Sequence, residues 1–135
     1  MDKHKPLTIY KASAGSGKTF QLAVDFISLL VLNPDSYKDI LAVTFTNKAT
    51  DEMKMRILSQ LNGLANNYQD SDPYLQKIKE QTCLPTPVIQ KNAKIALSLL
   101  VHNYNYFRIL TIDAFFQSIL RNLAHELKLK ANLKI

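Results

Sequence analysis

The stretch Ala12–Thr19, which reads ASAGSGKT, has the residue types and spacing of a phosphate-binding loop, whose pattern is G-x-x-x-x-G-K-[ST]. Glycines in such a loop let the backbone approach phosphate oxygens closely. A lysine reaches the outer phosphates, and the following hydroxyl can ligate Mg²⁺. The first position is alanine here, which is also small. The predicted nucleotide-binding residues are Ala12, Ser13, Ala14, Gly15, Ser16, Gly17, Lys18 and Thr19, with Thr19 as the magnesium ligand.

The segments on either side of this loop fit the same interpretation. Leu7–Tyr10 alternates and is rich in strand formers, and a helical pattern follows Lys18 until Asn33-Pro34-Asp35 ends it. A linker with a fortuitous Lys-Thr would not lie between a buried strand and a buried helix. The helix has its apolar stripe at Phe20, Val24, Ile27 and Val31, and Leu22, Ala23, Phe26, Leu29 and Leu30 widen the predicted buried face.

Further along the chain, helical and extended patterns alternate. Ile40–Phe45 is almost continuously apolar, as is typical of a strand that is covered on both faces. An amphipathic helix with Ala49, Met53, Ile57 and Leu61 on one face follows it.

A polar segment, residues 66–87, interrupts this alternation and is predicted to be a surface insertion outside the core, with one short helix at Tyr74–Gln81. Beyond it we expect a helix at Val88–Asn103, a strand at Phe107–Ile112 and a final helix. Strands that alternate with helices predict an α/β fold with a parallel sheet. The predicted face of the final helix comprises Phe116, Ile119, Leu120, Leu123 and Leu127.

Composition limits the classes of protein to consider. The chain has 135 residues, 47% of them hydrophobic, and a net charge of +6, which is compatible with a polyanionic partner. The single cysteine, Cys83, cannot form an internal disulfide or a cysteine-based zinc site. No stretch is long and apolar enough to be a membrane span or a signal peptide, so we expect a cytoplasmic protein without a membrane partner.

Three segments together carry a resemblance to a known family: ASAGSGKT, LAVTFTNKATDEMKMRIL at residues 41–58 and TIDAFFQSILRNLAHEL at residues 111–127. They resemble the first half of the first motor domain of superfamily 1 DNA helicases, in the UvrD-like group and within it the RecB-like helicase–nuclease subunits. The resemblance implies an incomplete P-loop NTPase domain, a three-layer α/β/α, RecA-like structure with a parallel sheet. It also implies an ATP-dependent DNA helicase or translocase with ATP and Mg²⁺ as cofactors.

The segment TFTNKAT is similar to the motif that contacts single-stranded DNA in this family, with Thr50 where the family usually has alanine. Thr46, Asn47 and Lys48 are expected at the carboxyl end of a strand and the amino end of a helix, where ligands bind in open α/β sheets. Backbone N–H groups at such a helix terminus suit a DNA phosphate. Thr46 or Asn47 can at the same time cap the helix.

The segment TIDAFF resembles a second DNA-facing motif, in which Asp113 replaces the common histidine. A carboxylate does not attract phosphate, so we expect Asp113 to cap the last helix. Thr111 and Phe115 remain as DNA-contact candidates, with Phe115 stacking on a base. Phe116 lies on the apolar stripe and is expected to be buried.

Some parts of the family's machinery have no counterpart in these residues. No apolar strand ends in the acidic pair that would hold magnesium and activate water, and Asp51-Glu52 is expected inside a helix. No glutamine precedes the first strand to read adenine. We therefore expect residues 1–135 to be the N-terminal part of motor domain 1A of a longer protein, almost inactive alone. A second motor domain, and a nuclease domain or partner subunit, would complete it.

Two other classes remain open from the sequence. If the chain is complete, Asp113 is a candidate magnesium carboxylate of a small nucleotide or metabolite kinase. A nucleotide switch or DNA-binding module without enzymatic activity is the third class. An assay would distinguish the kinase from the helicase, because a kinase transfers phosphate to a small acceptor whereas a helicase hydrolyses ATP faster when DNA is present.

Overall fold

The computed structural model describes residues 17–133, with side chains from Lys18 to Leu129. The predicted strand Leu7–Tyr10 and most of the predicted phosphate loop lie outside this part of the chain. The helices are α1 (Gly17–Leu32), α2 (Asn47–Ala65), α3 (Asp72–Thr82), α4 (Thr86–His102) and α5 (Ile112–Leu133), and the strands are β1 (Leu41–Thr44) and β2 (Arg108–Thr111).

The two described strands form a parallel pair, in which Leu41 is the partner of Arg108 and Thr44 the partner of Thr111. Three consecutive residues of β1, Ala42 to Thr44, are buried, so this strand is covered on both faces, as its apolar run predicts. The parallel arrangement and the predominance of helices agree with an α/β class. The third strand expected from the sequence, Leu7–Tyr10, lies outside the described residues.

The core lies among α1, α2 and α4 together with the sheet. Each of these helices contributes completely buried side chains: Val24 and Ile27 from the predicted stripe of α1, Ile57 and Leu61 from that of α2, and Leu100 from α4. Helical spacing therefore predicted this core. Within the described residues, no helix is long and apolar enough to cross a membrane.

Helix α1 ends where the sequence predicts. After Leu32, Asn33 adopts an extended conformation, and its side chain accepts a hydrogen bond from the N–H of Asp35 at 3.2 Å. Pro34 follows and begins a 3-10 helix, Pro34–Asp39. This capping turn redirects the chain from α1 into β1.

The segment at residues 66–87 is more closely integrated than expected. Its helix, α3, buries Tyr74 and Ile78 in the core, so the expectation that the segment stays outside the core is wrong for these two residues. The Tyr74 ring packs on Phe20, with centroids 4.7 Å apart, and its hydroxyl accepts a hydrogen bond from Arg56 at 3.0 Å. Tyr74 and Ile78 have the i, i+4 spacing of a helix face, but this spacing is hard to recognise because most other residues of the segment are polar.

Two predicted core residues are exposed in the structure. Leu29 of α1 is 49% exposed, because the buried face of this helix is narrower than its apolar face. Phe116 of α5 is 55% exposed, and the other members of its stripe are exposed as well. The main contacts of α5 are with β1 and β2, so no described element covers that stripe.

Candidate functional site

The predicted nucleotide site can be followed from the first turn of α1 onward, since Ala12 to Ser16 lie outside the described residues. Lys18 is exposed and Thr19 is half-buried in this turn. An exposed lysine followed by a hydroxyl at a helix amino end is an arrangement that suits a phosphate group. Mg²⁺ commonly takes only one or two protein oxygens beside those of substrate phosphates, so the Thr19 hydroxyl fits as the ligand from this segment.

The turn between β1 and α2 carries the first predicted DNA segment. Thr46 is the N-cap of α2, and its hydroxyl accepts a hydrogen bond from the N–H of Ala49 at 3.0 Å. Thr46, Asn47 and Lys48 are all exposed. The first turn of α2 contains no acidic residue, so its N–H groups and Lys48 are available to an anion, while Asp51 and Glu52 follow in the second turn.

The start of α5, which follows β2 without an intervening residue, is capped by the same chemistry. The hydroxyl of Thr111 accepts a hydrogen bond from the N–H of Ala114 at 3.1 Å. The prediction that Asp113 is the cap is wrong: Asp113 lies one residue inside α5, where it is exposed in the first turn. The helix begins earlier than expected because the last strand residue itself supplies the capping oxygen.

The parallel register brings the starts of α2 and α5 together. Thr44 pairs with Thr111, so β1 and β2 end side by side and each leads directly into a threonine-capped helix. A cap satisfies one of the four N–H groups that a helix amino end leaves without intrahelical partners. Two such ends on one sheet edge form a surface suited to the phosphates of an extended strand.

Phe45 is a candidate residue that the sequence analysis missed. It follows β1 directly, precedes the capping Thr46, and is 49% exposed. An aromatic side chain at this edge can stack on a nucleobase. The signal in the sequence is that the apolar run continues past the end of the buried strand into a turn.

The aromatic pair on α5 differs from expectation. Phe115 is half-buried while Phe116 is largely exposed, and their ring centroids are 5.8 Å apart. Both residues lie within the first turn and a half of α5, which begins directly after Thr111. Phe116 is therefore the more accessible of the two for stacking, and Phe115 stays a candidate through its exposed part.

Comparison with known proteins adds an independent finding. Residues 2–135 match the profile of the family described as UvrD/REP helicase N-terminal domain. The relatives include the RecBCD enzyme subunit RecB of Chlamydia muridarum, 54% identical over 52 residues, which is 38% of this chain and 5% of that protein. RecB of Borreliella burgdorferi is 32% identical over 103 residues, covering 74% of this chain and 9% of that protein.

A third relative is aligned along the whole chain. An ATP-dependent helicase/nuclease subunit of Clostridium novyi is 32% identical over 137 aligned positions, covering 100% of this chain and 9% of that protein. The chain thus spans a tenth or less of the length of these three relatives. No solved structure matches it.

Proposed function

The chain belongs to the UvrD/REP helicase N-terminal domain family and is of the RecB type, and from that premise we propose that it is the ATP-binding part of a DNA helicase or translocase. The relatives named RecB and ATP-dependent helicase/nuclease suggest work in DNA repair and recombination, alongside a nuclease activity. None of the relatives reported above is a kinase, so the small-kinase alternative has no support from them.

In this proposal residues 1–135 form the N-terminal part of motor domain 1A. This is a P-loop NTPase domain with a RecA-like fold, in which a parallel sheet lies between two layers of helices. The parallel pair of β1 and β2 and the helical layer beside it are compatible with such a domain. Residues 66–87 are an insertion that contributes α3 to the same core. A second motor domain closes the ATP cleft, and partner subunits complete the enzyme.

ATP binds at Ala12–Thr19 in this proposal. The Lys18 amine neutralises the outer phosphates, and the Thr19 hydroxyl holds Mg²⁺, which shields the charge that develops during phosphoryl transfer. The exposure of Lys18 supports this role, since its amine is available to a ligand. The carboxylates that activate water are supplied from elsewhere in the protein. Asp51 and Glu52 lie inside α2, not after a strand.

In this proposal, single-stranded DNA crosses the sheet edge at which the capped starts of α2 and α5 lie. The observation that carries this part of the proposal is the side-by-side ending of β1 and β2 in threonine-capped helices. Thr46, Asn47, Lys48 and Thr111 offer hydroxyl, amide, ammonium and backbone donors to phosphates. Phe45, Phe115 and the more exposed Phe116 are the stacking candidates.

The direct test of the proposal is ATP hydrolysis by the protein as its gene encodes it, measured with and without single-stranded DNA. We expect magnesium-dependent turnover that rises when the DNA is added, because a motor that moves along DNA must couple ATP hydrolysis to the bound strand. A parallel assay follows phosphate transfer to nucleosides and small metabolites. Transfer to such an acceptor, with no response to DNA, would contradict the proposal and favour the kinase.

Lys48→Ala tests the DNA edge itself. We expect affinity for single-stranded DNA to fall about twofold to fivefold at low salt, since one exposed charge contact is lost. The slope of log affinity against log salt concentration should decrease by about 0.7, the value of one phosphate contact on a single strand. The control is Lys94→Ala, which removes an exposed lysine from α4. Equal effects of both variants would show that only overall charge matters.

A further inference from the structure

Two buried threonines lie directly beneath the exposed turn between β1 and α2. Thr44 is the last residue of β1 and Thr50 lies one turn into α2, and they are 2% and 9% exposed. Their hydroxyl oxygens are 2.6 Å apart, which is a short hydrogen bond between side chains. Buried hydroxyl groups need hydrogen-bond partners, and these two bond to each other beneath the turn.

The same pair is bonded to the backbone of the turn. The carbonyl oxygen of Thr46 lies 3.3 Å from the Thr44 hydroxyl and 3.2 Å from the Thr50 hydroxyl, and it also accepts the N–H of Thr50 at 3.0 Å. The Thr44 hydroxyl lies 3.5 Å from the carbonyl oxygen of Leu110 in β2.

Each hydroxyl has one proton, so only two arrangements connect the pair. In one, Thr44 donates to Thr50, and Thr50 donates to the Thr46 carbonyl. In the other, Thr50 donates to Thr44, and Thr44 donates to the carbonyl of Thr46 or of Leu110. Either way the pair connects the end of β1 to the first turn of α2, and the second arrangement can also reach β2.

We propose that Thr50 is a positioning residue for DNA binding: through Thr44 and the Thr46 carbonyl it fixes the orientation in which Thr46, Asn47 and Lys48 meet single-stranded DNA. The inference rests on the proposed function of this edge. Thr50 itself is buried beneath the exposed turn, so it acts through the backbone and not by contact. A turn held in one orientation binds an extended strand with a smaller loss of conformational entropy.

A purely structural role makes a different prediction. If the hydroxyl pair only satisfies two buried polar groups, its loss lowers the free energy of unfolding and leaves the DNA affinity of the folded protein unchanged. If the pair orients the turn, its loss weakens DNA binding through the contacts that the turn makes. Lys48 reports on those contacts because its phosphate contact contributes to the salt dependence of binding.

The experiment is a double-mutant cycle in the protein as its gene encodes it. Thr50→Val removes the hydroxyl and keeps the side-chain shape, and Thr50→Ser keeps the hydroxyl. Lys48→Ala and the Thr50→Val/Lys48→Ala pair complete the cycle. For each variant, single-stranded DNA affinity is measured over a range of salt concentrations, together with ATP affinity and Tm.

For Thr50→Val we expect a loss of DNA affinity of about threefold to tenfold, the equivalent of one hydrogen bond. We also expect a shallower salt slope like that of Lys48→Ala, and unchanged ATP affinity. Thr50→Ser should restore the DNA affinity. In the double variant the two losses should not add, because both act on the same contacts.

The outcomes distinguish a failure of the positioning role from a failure of the proposed DNA edge. If Thr50→Val lowers Tm but leaves DNA affinity and salt slope unchanged while Lys48→Ala alters both, the proposed edge stands and Thr50 is only structural. Fully additive losses in the double variant would also overturn the positioning role. If Lys48→Ala itself has no effect on DNA binding, the proposed DNA edge fails.

Discussion

Replacing Lys18 with alanine is expected to lower DNA-stimulated ATP turnover about 100-fold or more, the usual effect of removing a donor that stabilises transition-state charge. The free energy of unfolding should not change. The side chain is exposed on the first turn of α1, so its loss creates no cavity and removes no core packing. Turnover assays with Mg-ATP and thermal unfolding of the same preparation measure the two quantities.

The matched control for Lys18→Ala is Lys91→Ala, which removes an exposed lysine from α4 and should leave turnover unchanged. If Lys18→Ala retains ordinary turnover, the lysine does not act on the phosphates and the nucleotide site must be sought elsewhere. If the variant unfolds, the residue is structural. Binding of a fluorescent ATP analogue adds a readout that separates a loss of affinity from a loss of catalysis.

Local patterns in the sequence predicted most of the described elements because each pattern has a direct physical cause. The i, i+4 spacing of Met53 and Ile57 identifies the buried face of α2, and the continuous apolar run of β1 predicts a strand covered on both sides. The sequence also predicted that Thr46 or Asn47 caps α2, because hydroxyl and amide side chains favour that position, and the structure identifies Thr46 as the cap.

The errors arise where the answer depends on neighbours that a local pattern does not contain. Helical spacing shows that Phe116 shares a face with Leu120, but whether that face is covered depends on other elements, and among the described residues it is exposed. Asp113 and Thr111 both have side chains that can cap a helix, and a shift of two residues in the helix start decides between them. The buried residues of α3 are only two, so the polar majority hides them.

In the candidate site, too, some features follow from local sequence patterns and others depend on neighbours in three dimensions. That the ends of β1 and β2 meet follows from the parallel topology, which the alternating pattern predicts. The hydroxyl pair of Thr44 and Thr50 does not follow, because it depends on the distance between two side chains across a turn. The residues proposed to contact DNA, apart from Phe45 and Phe116, were therefore named from the sequence, while the hydroxyl pair beneath the turn became visible only in three dimensions.

The largest expected effect on stability comes from Met53→Ala. Met53 is 2% exposed and lies in the core, and truncation of a buried methionine to alanine typically costs about 2–5 kcal/mol through lost burial and the cavity that remains. Domains are stable by only about 5–15 kcal/mol, so the variant should unfold at a much lower denaturant concentration. Equilibrium unfolding in urea, followed by circular dichroism, measures the difference.

Helix α2 itself offers a matched control in Met55→Ala. Met55 is two residues further along and 68% exposed, so the same chemical change removes little buried surface. Alanine also has a slightly better helix propensity than methionine, and we expect the free energy of unfolding to change by less than about 0.5 kcal/mol. Because residue type, helix and substitution are identical, the contrast isolates burial. Similar destabilisation by both variants would mean that α2 packs through another face, which would also displace the turn that begins it.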